Sequence, residues 1–363
     1  MLVPFIAGVL WFFFYPKKAF RILSKLGVVF FLLLAFVLLW SFVIDFGESA
    51  YEHLGLRTQS ATNARFLIYI VSVMFWVSFF LQGKLENLAR AVVGIVFVQV
   101  FLGLLMLVYP DFKKITYIYL SGYSGDERLL TDYFLARGFG WSEELFYLAP
   151  VFMLFSMILF FGFSPFFYYF LVLIGAVIVA FFNARIAAFG LFFAFWLRFG
   201  LIITIPLFMF VLGLVSICLF YFGGQAAEQF LGEFSGGRLR TLQILWDHHV
   251  HYLLAGVENI FGSHIYLYGS KQDVISDIGW VILVNYGGWF YLAAWLGIIL
   301  ILSTKAFPKS GQGLVVFLFI FLLGCKGIVT SGNAMMALLL ALVFVGGIDV
   351  AKHKVLEVTE EEH

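Results

Sequence analysis

Eleven long runs of uncharged apolar residues restrict what this chain can fold into. Most approach the roughly 20 residues that an α-helix needs to cross the hydrocarbon core of a bilayer. Of the 363 residues, 63% are apolar and 12% are charged, whereas soluble proteins average roughly 45–50% and 25%. These values exclude a soluble domain, and the net charge of +1 argues against a basic nucleic-acid-binding protein. The runs cover residues 2–15, 27–44, 66–82, 91–109, 145–162, 167–182, 186–197, 200–222, 279–302, 314–330 and 333–348.

The sequence therefore predicts an all-α, polytopic membrane protein with about eleven transmembrane helices in a single domain over residues 1–363. Basic residues in short loops mark the cytoplasmic side. The loop after the first run contains Lys17, Lys18, Arg21 and Lys25. We expect this loop inside the cell, which places the N-terminus outside and, after eleven crossings, the tail 349–363 inside.

Two loops on the predicted outer side are much longer than any on the inner side. They cover residues 110–144 and 223–278. We therefore expect the functional groups to face outward. Of the Asp, Glu, Lys, Arg and His residues, Lys326 alone lies within the apolar runs, near the outer end of the tenth. Its side chain either reaches the membrane surface or meets an anionic ligand. Neither alternative provides the charged path across the bilayer that ion-coupled carriers need.

Three arginines in outward-facing segments are candidates for binding an anion. Arg185 lies at the predicted outer junction of the sixth and seventh runs, and a guanidinium there suits either a phosphate or lipid head groups. Residues 235–256 have helical periodicity, with an apolar face and a polar face that carries Arg240. Arg238 lies near the start of that helix, where free backbone N–H groups favour an anion. An ordinary solvated helix face is the alternative.

The same outer loops contain candidates for the remaining chemistry. Asp277 precedes the ninth run and is either a helix cap or a carboxylate that faces the arginines. His248 and His251 are possible bases or hydrogen-bonding groups. The histidine spacing does not suit zinc, so we expect no metal and no cofactor. Arg128, in an aromatic-rich loop, is a candidate sugar-binding residue.

The layout resembles the Wzy polymerases of O-antigen, capsule and exopolysaccharide. One large outer loop precedes the last three spans, as in that family. The matching pattern runs from a Gly-Arg pair to an Asn-Tyr-Gly-Gly segment, and Asn183–Arg185 is similar to a further family arginine. The residues of the pattern are Gly237, Arg238, Trp246, Gly256, Gly262, Ser276, Asp277, Gly279, Asn285, Tyr286, Gly287 and Gly288.

The resemblance implies an enzyme of the bacterial inner membrane with an architecture similar to that of GT-C glycosyltransferases. The implied substrate is an oligosaccharide repeat unit on undecaprenyl pyrophosphate, and the implied partners are a Wzx flippase, a Wzz chain-length regulator and membrane lipid. Arg185, Arg238 and Asp277 would be catalytic. The expected substrate-binding residues are Arg128, Arg240, His248, His251 and Lys326.

Two other functions remain open from the sequence. An O-antigen ligase shares the architecture, but ligases resemble one another in a histidine where this chain has Ser276 and Asp277. The histidines at 248–251 keep this alternative open. A non-enzymatic membrane carrier would instead show polar residues at mid-membrane depth in two related halves, which the sequence does not contain.

Overall fold

The computed structural model is helical throughout the residues it describes. Twelve α-helices and one 3₁₀ turn are found there. The described residues are 2–47, 59–109, 111–112, 115, 148–163, 166–183, 187–222, 260–262, 278–309, 311–325, 329–330 and 333–349.

Every apolar run predicted from the sequence contains a helix. Between the first two lies an additional short helix, α2, followed by the 3₁₀ turn Ser24–Leu26. The helices are α1 Leu2–Phe14, α2 Pro16–Leu23, α3 Val28–Gly47, α4 Gln59–Phe79, α5 Leu85–Val108, α6 Leu148–Leu159, α7 Phe166–Asn183, α8 Ala187–Phe199, α9 Leu201–Phe222, α10 Gly279–Ala306, α11 Gln312–Gly324 and α12 Ala334–Val345.

Four of these helices are long and apolar enough to cross a membrane, namely α3, α4, α5 and α10. Other helices, such as α6 and α12 with 12 residues each, extend about 18 Å at 1.5 Å per residue, which is less than a hydrocarbon core of about 30 Å. Apolar helices long enough to span are consistent with a membrane protein. The count of eleven crossings and the GT-C-like architecture remain predictions.

The described helices form two compact units, and the first contains α1–α4 and α10–α12. Within it α10 packs against α3, α11 and α12, while α4 packs against α1, α3 and α12. Capping interactions define both ends of α12, the last described helix. The Asn333 side chain accepts a hydrogen bond from the Met336 N–H at 2.9 Å, and Gly346 ends the helix with φ 108°.

The second unit contains α5–α9. Within it α8 packs against α6, α7 and α9, and α6 also packs against α7. A glycine lies at a close approach between α8 and α6. A methyl group on Gly190 of α8 would lie 2.5 Å from the Val151 carbonyl oxygen of α6. Small residues of this kind let membrane helices pack backbone to backbone.

Candidate functional site

The eight site residues predicted from the sequence lie outside the described residues, as does the predicted helix 235–256. They are Arg128, Arg185, Arg238, Arg240, His248, His251, Asp277 and Lys326. Their assignments stay predictions. The structure does describe the Asn-Tyr-Gly-Gly part of the pattern in α10, together with Gly262, and these residues belong to a polar site in the first unit.

The centre of this site is a kink in α10 at Gly288, which has φ 80° and ψ −179°. Residues other than glycine rarely adopt that backbone conformation. A methyl group on Gly288 would also overlap the Ile260 carbonyl. Gly262 is constrained in the same way, with φ 86° and a hypothetical Cβ 2.6 Å from the Tyr286 carbonyl oxygen. Residues 260–262 therefore lie directly on the backbone of the kink.

Three hydrogen-bond contacts join the kink to α3. The Trp40 indole N–H donates to the Gly287 carbonyl at 2.9 Å, which satisfies a carbonyl at a point where the helical ladder is interrupted. The Tyr286 hydroxyl is 2.8 Å from a carboxylate oxygen of Asp45 and 3.1 Å from the Ser41 carbonyl oxygen. The kink is thus tied to the last two turns of α3.

Asp45 also connects α3 to the start of α4. Its second carboxylate oxygen accepts a hydrogen bond from the Ser60 N–H at 2.9 Å. Ser60 lies in the first turn of α4, where free N–H groups and the helix dipole stabilise an anion. One carboxylate therefore joins three helices, with α10 reached through Tyr286.

A buried polar cluster continues the network inward from α4 to α10. Asn63 donates to the Tyr291 hydroxyl at 2.7 Å, and the Gln59 amide nitrogen lies 3.3 Å from the Asn63 oxygen and 3.4 Å from the Tyr291 hydroxyl. Gln59 is 1% exposed, and Asn63 and Tyr291 are fully buried. A buried polar network of this kind is costly unless its members bond one another.

One acceptor in that cluster, the Gln59 Oε1 atom, has no hydrogen-bond partner among the described residues. If the oxygen and nitrogen atoms of the Gln59 and Asn63 amides were exchanged, Gln59 would still have one amide atom without a partner, and that atom would lie in the same position. Gln59 is the first residue of α4.

Only part of this site could be recognised from the sequence. The Asn-Tyr-Gly-Gly segment stands out as a motif, but Asp45, Gln59 and Asn63 are single polar residues at helix ends. Their network joins the consecutive helices α3 and α4 to α10, which lies more than 200 residues further along the chain. Periodicity within one helix contains no information about such a contact.

Metal-binding groups are absent from the part of the chain that the structure describes, since no three His, Cys, Asp or Glu side chains lie close enough to hold an ion. His248 and His251 lie outside that part. The expectation of a metal-free site therefore stays a prediction.

Among the described residues of the second unit, Arg198 near the end of α8 is a buried charge. It is 4% exposed, and its guanidinium carbon lies 5.3 Å from the centre of the Phe161 ring. Stacking on an aromatic face stabilises a partly desolvated cation. Arg198 lies on the predicted cytoplasmic side, away from the outward-facing chemistry expected from the sequence.

No protein-family model, curated protein or solved structure matches the chain.

Proposed function

We propose that the chain is a membrane glycosyltransferase of the Wzy type. It polymerises oligosaccharide repeat units that are linked to undecaprenyl pyrophosphate, at the outer face of the bacterial inner membrane. The observation that carries this proposal is the sequence pattern from Gly237–Arg238 to Asn285–Gly288. Its function as an enzyme, its substrate and its partners Wzx and Wzz all depend on that resemblance.

The geometry of α10 supports the proposal. Residues 260–262 belong to the long outer loop that contains Arg238 and Asp277, and they lie on the kink formed by Gly287 and Gly288. Hydrogen bonds from Trp40 and Tyr286 hold this kink against α3. The pattern therefore includes a rigid attachment for the loop, and preorganisation of this kind is what a catalytic loop needs.

In the proposed reaction a hydroxyl oxygen of the incoming repeat unit attacks the anomeric carbon of the growing chain. The bond from that carbon to the pyrophosphate oxygen breaks, and its electron pair stays on the leaving pyrophosphate. Arg185 and Arg238 stabilise the developing charge, which is worth roughly 3–4 kcal/mol for each well-placed donor. The hydroxyl proton passes to Asp277 or to a histidine.

The remaining predicted residues would bind the substrate. Arg128, Arg240 and Lys326 are suited to phosphate or polar sugar groups, and His248 and His251 to sugar hydroxyls. A ligase, which transfers the finished chain to lipid A-core, would use the same groups. The histidines at 248–251 are the specific feature that favours this second candidate.

The decisive experiment compares the glycans of a deletion strain with those of strains that express Arg185→Ala or Arg238→Ala. We expect one repeat unit per lipid core in all three, with the variant proteins present in the membrane. Arg90→Ala, an exposed arginine of α5, is the control and should restore long chains.

Other outcomes separate the alternatives. Bare lipid core with accumulated lipid-linked chains would identify a ligase. Long chains at normal levels in either arginine variant would refute the site assignment. With purified enzyme and lipid-linked units, a chelator should leave activity unchanged, and loss of activity that a divalent ion restores would contradict the metal-free mechanism.

A further inference from the structure

The short helix α2 carries a basic face that the proposed reaction does not use. The side chains of Lys17, Lys18 and Arg21 are exposed, whereas Ala19 is fully buried within the first unit. At 100° per residue, Lys17 and Arg21 lie one turn apart in the middle of the exposed side. We call Lys17, Lys18 and Arg21 the basic face.

No carboxylate among the described residues pairs with the basic face. Lys17 and Arg21 are four residues apart, so that their like charges repel each other. The ammonium of Lys18 lies 5.8 Å from the centre of the Trp11 ring, which is cation–π distance. An anion bound between Lys17 and Arg21 would relieve the repulsion.

Exposed aromatic side chains lie beside the basic face. Phe13, Phe14 and Tyr15 at the end of α1 are exposed, and so is Phe20 within α2. Aromatic and basic residues occur together where a protein meets the boundary between head groups and acyl chains. The surface therefore suits a ligand with both an anionic and an apolar part.

Lysine side chains fix the end of α2 to its unit. The Lys25 ammonium donates to the Phe344 carbonyl at 2.6 Å, in the last turn of α12, where a cation offsets the helix dipole. The Lys305 ammonium donates to the Lys25 carbonyl at 2.7 Å. Partial burial lowers the pKa of Lys25. These contacts assign Lys25 and Lys305 to anchoring the 3₁₀ turn that follows α2.

We propose that the basic face binds the phosphodiester of an anionic phospholipid in the leaflet that the sequence predicts to be cytoplasmic. Lys17 and Arg21 contact the phosphate, and the neighbouring aromatic side chains contact the upper part of the acyl chains. Free phosphate shares the anionic group but lacks the apolar part. This inference does not depend on the glycosyltransferase proposal.

The test titrates the delipidated full-length protein in neutral detergent with phosphatidylglycerol or phosphatidylcholine and counts bound lipids by native mass spectrometry. We expect phosphatidylglycerol to bind in preference to phosphatidylcholine. The double variant Lys17→Gln/Arg21→Gln should weaken phosphatidylglycerol binding about 25-fold, at about fivefold for each basic residue. Variants are compared only as monodisperse, folded samples.

The matched control is Lys84→Gln/Arg90→Gln, which removes the same charge from two exposed residues outside α2. It should bind phosphatidylglycerol as the wild type does. Equal binding of the two lipids, or wild-type affinity in the α2 variant, would overturn the proposal. Complete displacement of the lipid by millimolar inorganic phosphate at constant ionic strength would also overturn it, since the site would then recognise phosphate alone.

Discussion

Gly288 is the residue whose conformation most constrains the site. An alanine there would have to adopt φ 80° and would overlap the Ile260 carbonyl. We expect Gly288→Ala to destabilise the protein by about 3 kcal/mol or more, because the strain of the dihedral adds to the overlap. The measurement is the thermal unfolding midpoint in detergent, followed by size-exclusion chromatography with fluorescence detection.

Gly94→Ala is the matched control for that change. Gly94 lies inside α5, and nothing lies within 4 Å of a hypothetical Cβ there. Alanine in a helix interior is favoured over glycine by roughly 0.5–1 kcal/mol, so that this variant should melt at or slightly above the wild-type temperature. If Gly288→Ala had the same thermal unfolding midpoint as Gly94→Ala, α10 would not need its kink.

The hydrogen bond between Tyr286 and Asp45 gives a second prediction at the scale of single residues. Tyr286→Phe removes a bond of 2.8 Å to a carboxylate, and bonds to charged groups contribute roughly 1.5–3 kcal/mol. Since Asp45 is partly exposed, we expect a loss of about 1–2 kcal/mol. Tyr15→Phe, which alters an exposed tyrosine, should change the melting temperature little.

A double-mutant cycle isolates this contact. Asp45→Asn alone weakens both the bond to Tyr286 and the bond to the Ser60 N–H. Asp45→Asn/Tyr286→Phe should therefore be less destabilised than the sum of the two single variants, by about 1 kcal/mol. Strict additivity would mean that the hydroxyl and the carboxylate do not interact.

At the scale of elements, a helix is found in every apolar run predicted from the sequence. The ends of several helices, however, differ from the ends of the runs. The fourth run begins at residue 91, whereas α5 begins at Leu85. This run starts after the charged residue Arg90, although a helix can extend past the membrane with charged side chains in solvent. The tenth run extends to residue 330, whereas α11 ends at Gly324.

The kink in α10 shows a different limit of the sequence. The glycine pair is visible in the motif, but glycine in a membrane helix is common. The approach of residues 260–262 explains why Gly288 must lack a side chain, whereas at Gly287 the Tyr291 ring occupies the space that a Cβ would need. That approach depends on a loop returning to its own helix, which local sequence does not encode.

The pair formed by α6 and α8 gives a prediction that concerns two elements. Gly190→Ala would place a methyl group 2.5 Å from the Val151 carbonyl oxygen, and backbone cannot move aside as a side chain can. We expect a loss of about 1–3 kcal/mol, the usual cost of overpacking. Thermal unfolding in detergent measures it, with Gly213→Ala of α9 as the control.

Gly213 has open space around it, so its alanine variant keeps the helix and adds no contact. Equal melting temperatures for Gly190→Ala and Gly213→Ala would show that α6 and α8 do not depend on close approach. A lower temperature for Gly190→Ala alone is the expected result.

At the scale of the whole molecule, the number of crossings decides the sides on which the two ends lie. Eleven crossings place the N-terminus outside and the C-terminus inside. If only the four long helices α3, α4, α5 and α10 crossed the bilayer, both ends would lie on the same side. The parity of the crossings is therefore measurable without knowing which short helices span.

The test attaches an epitope tag to either end and probes intact spheroplasts with an antibody before and after permeabilisation. We expect the N-terminal tag to be detected in intact spheroplasts and the C-terminal tag only after permeabilisation. A green fluorescent protein fused to the C-terminus should fluoresce, because it folds efficiently in the cytoplasm. Detection of both tags under the same condition would require an even number of crossings. The outward assignment of Arg185, Arg238 and Asp277, which rests on the loops alternating from a cytoplasmic Lys17–Lys25 segment, would then have to be redrawn.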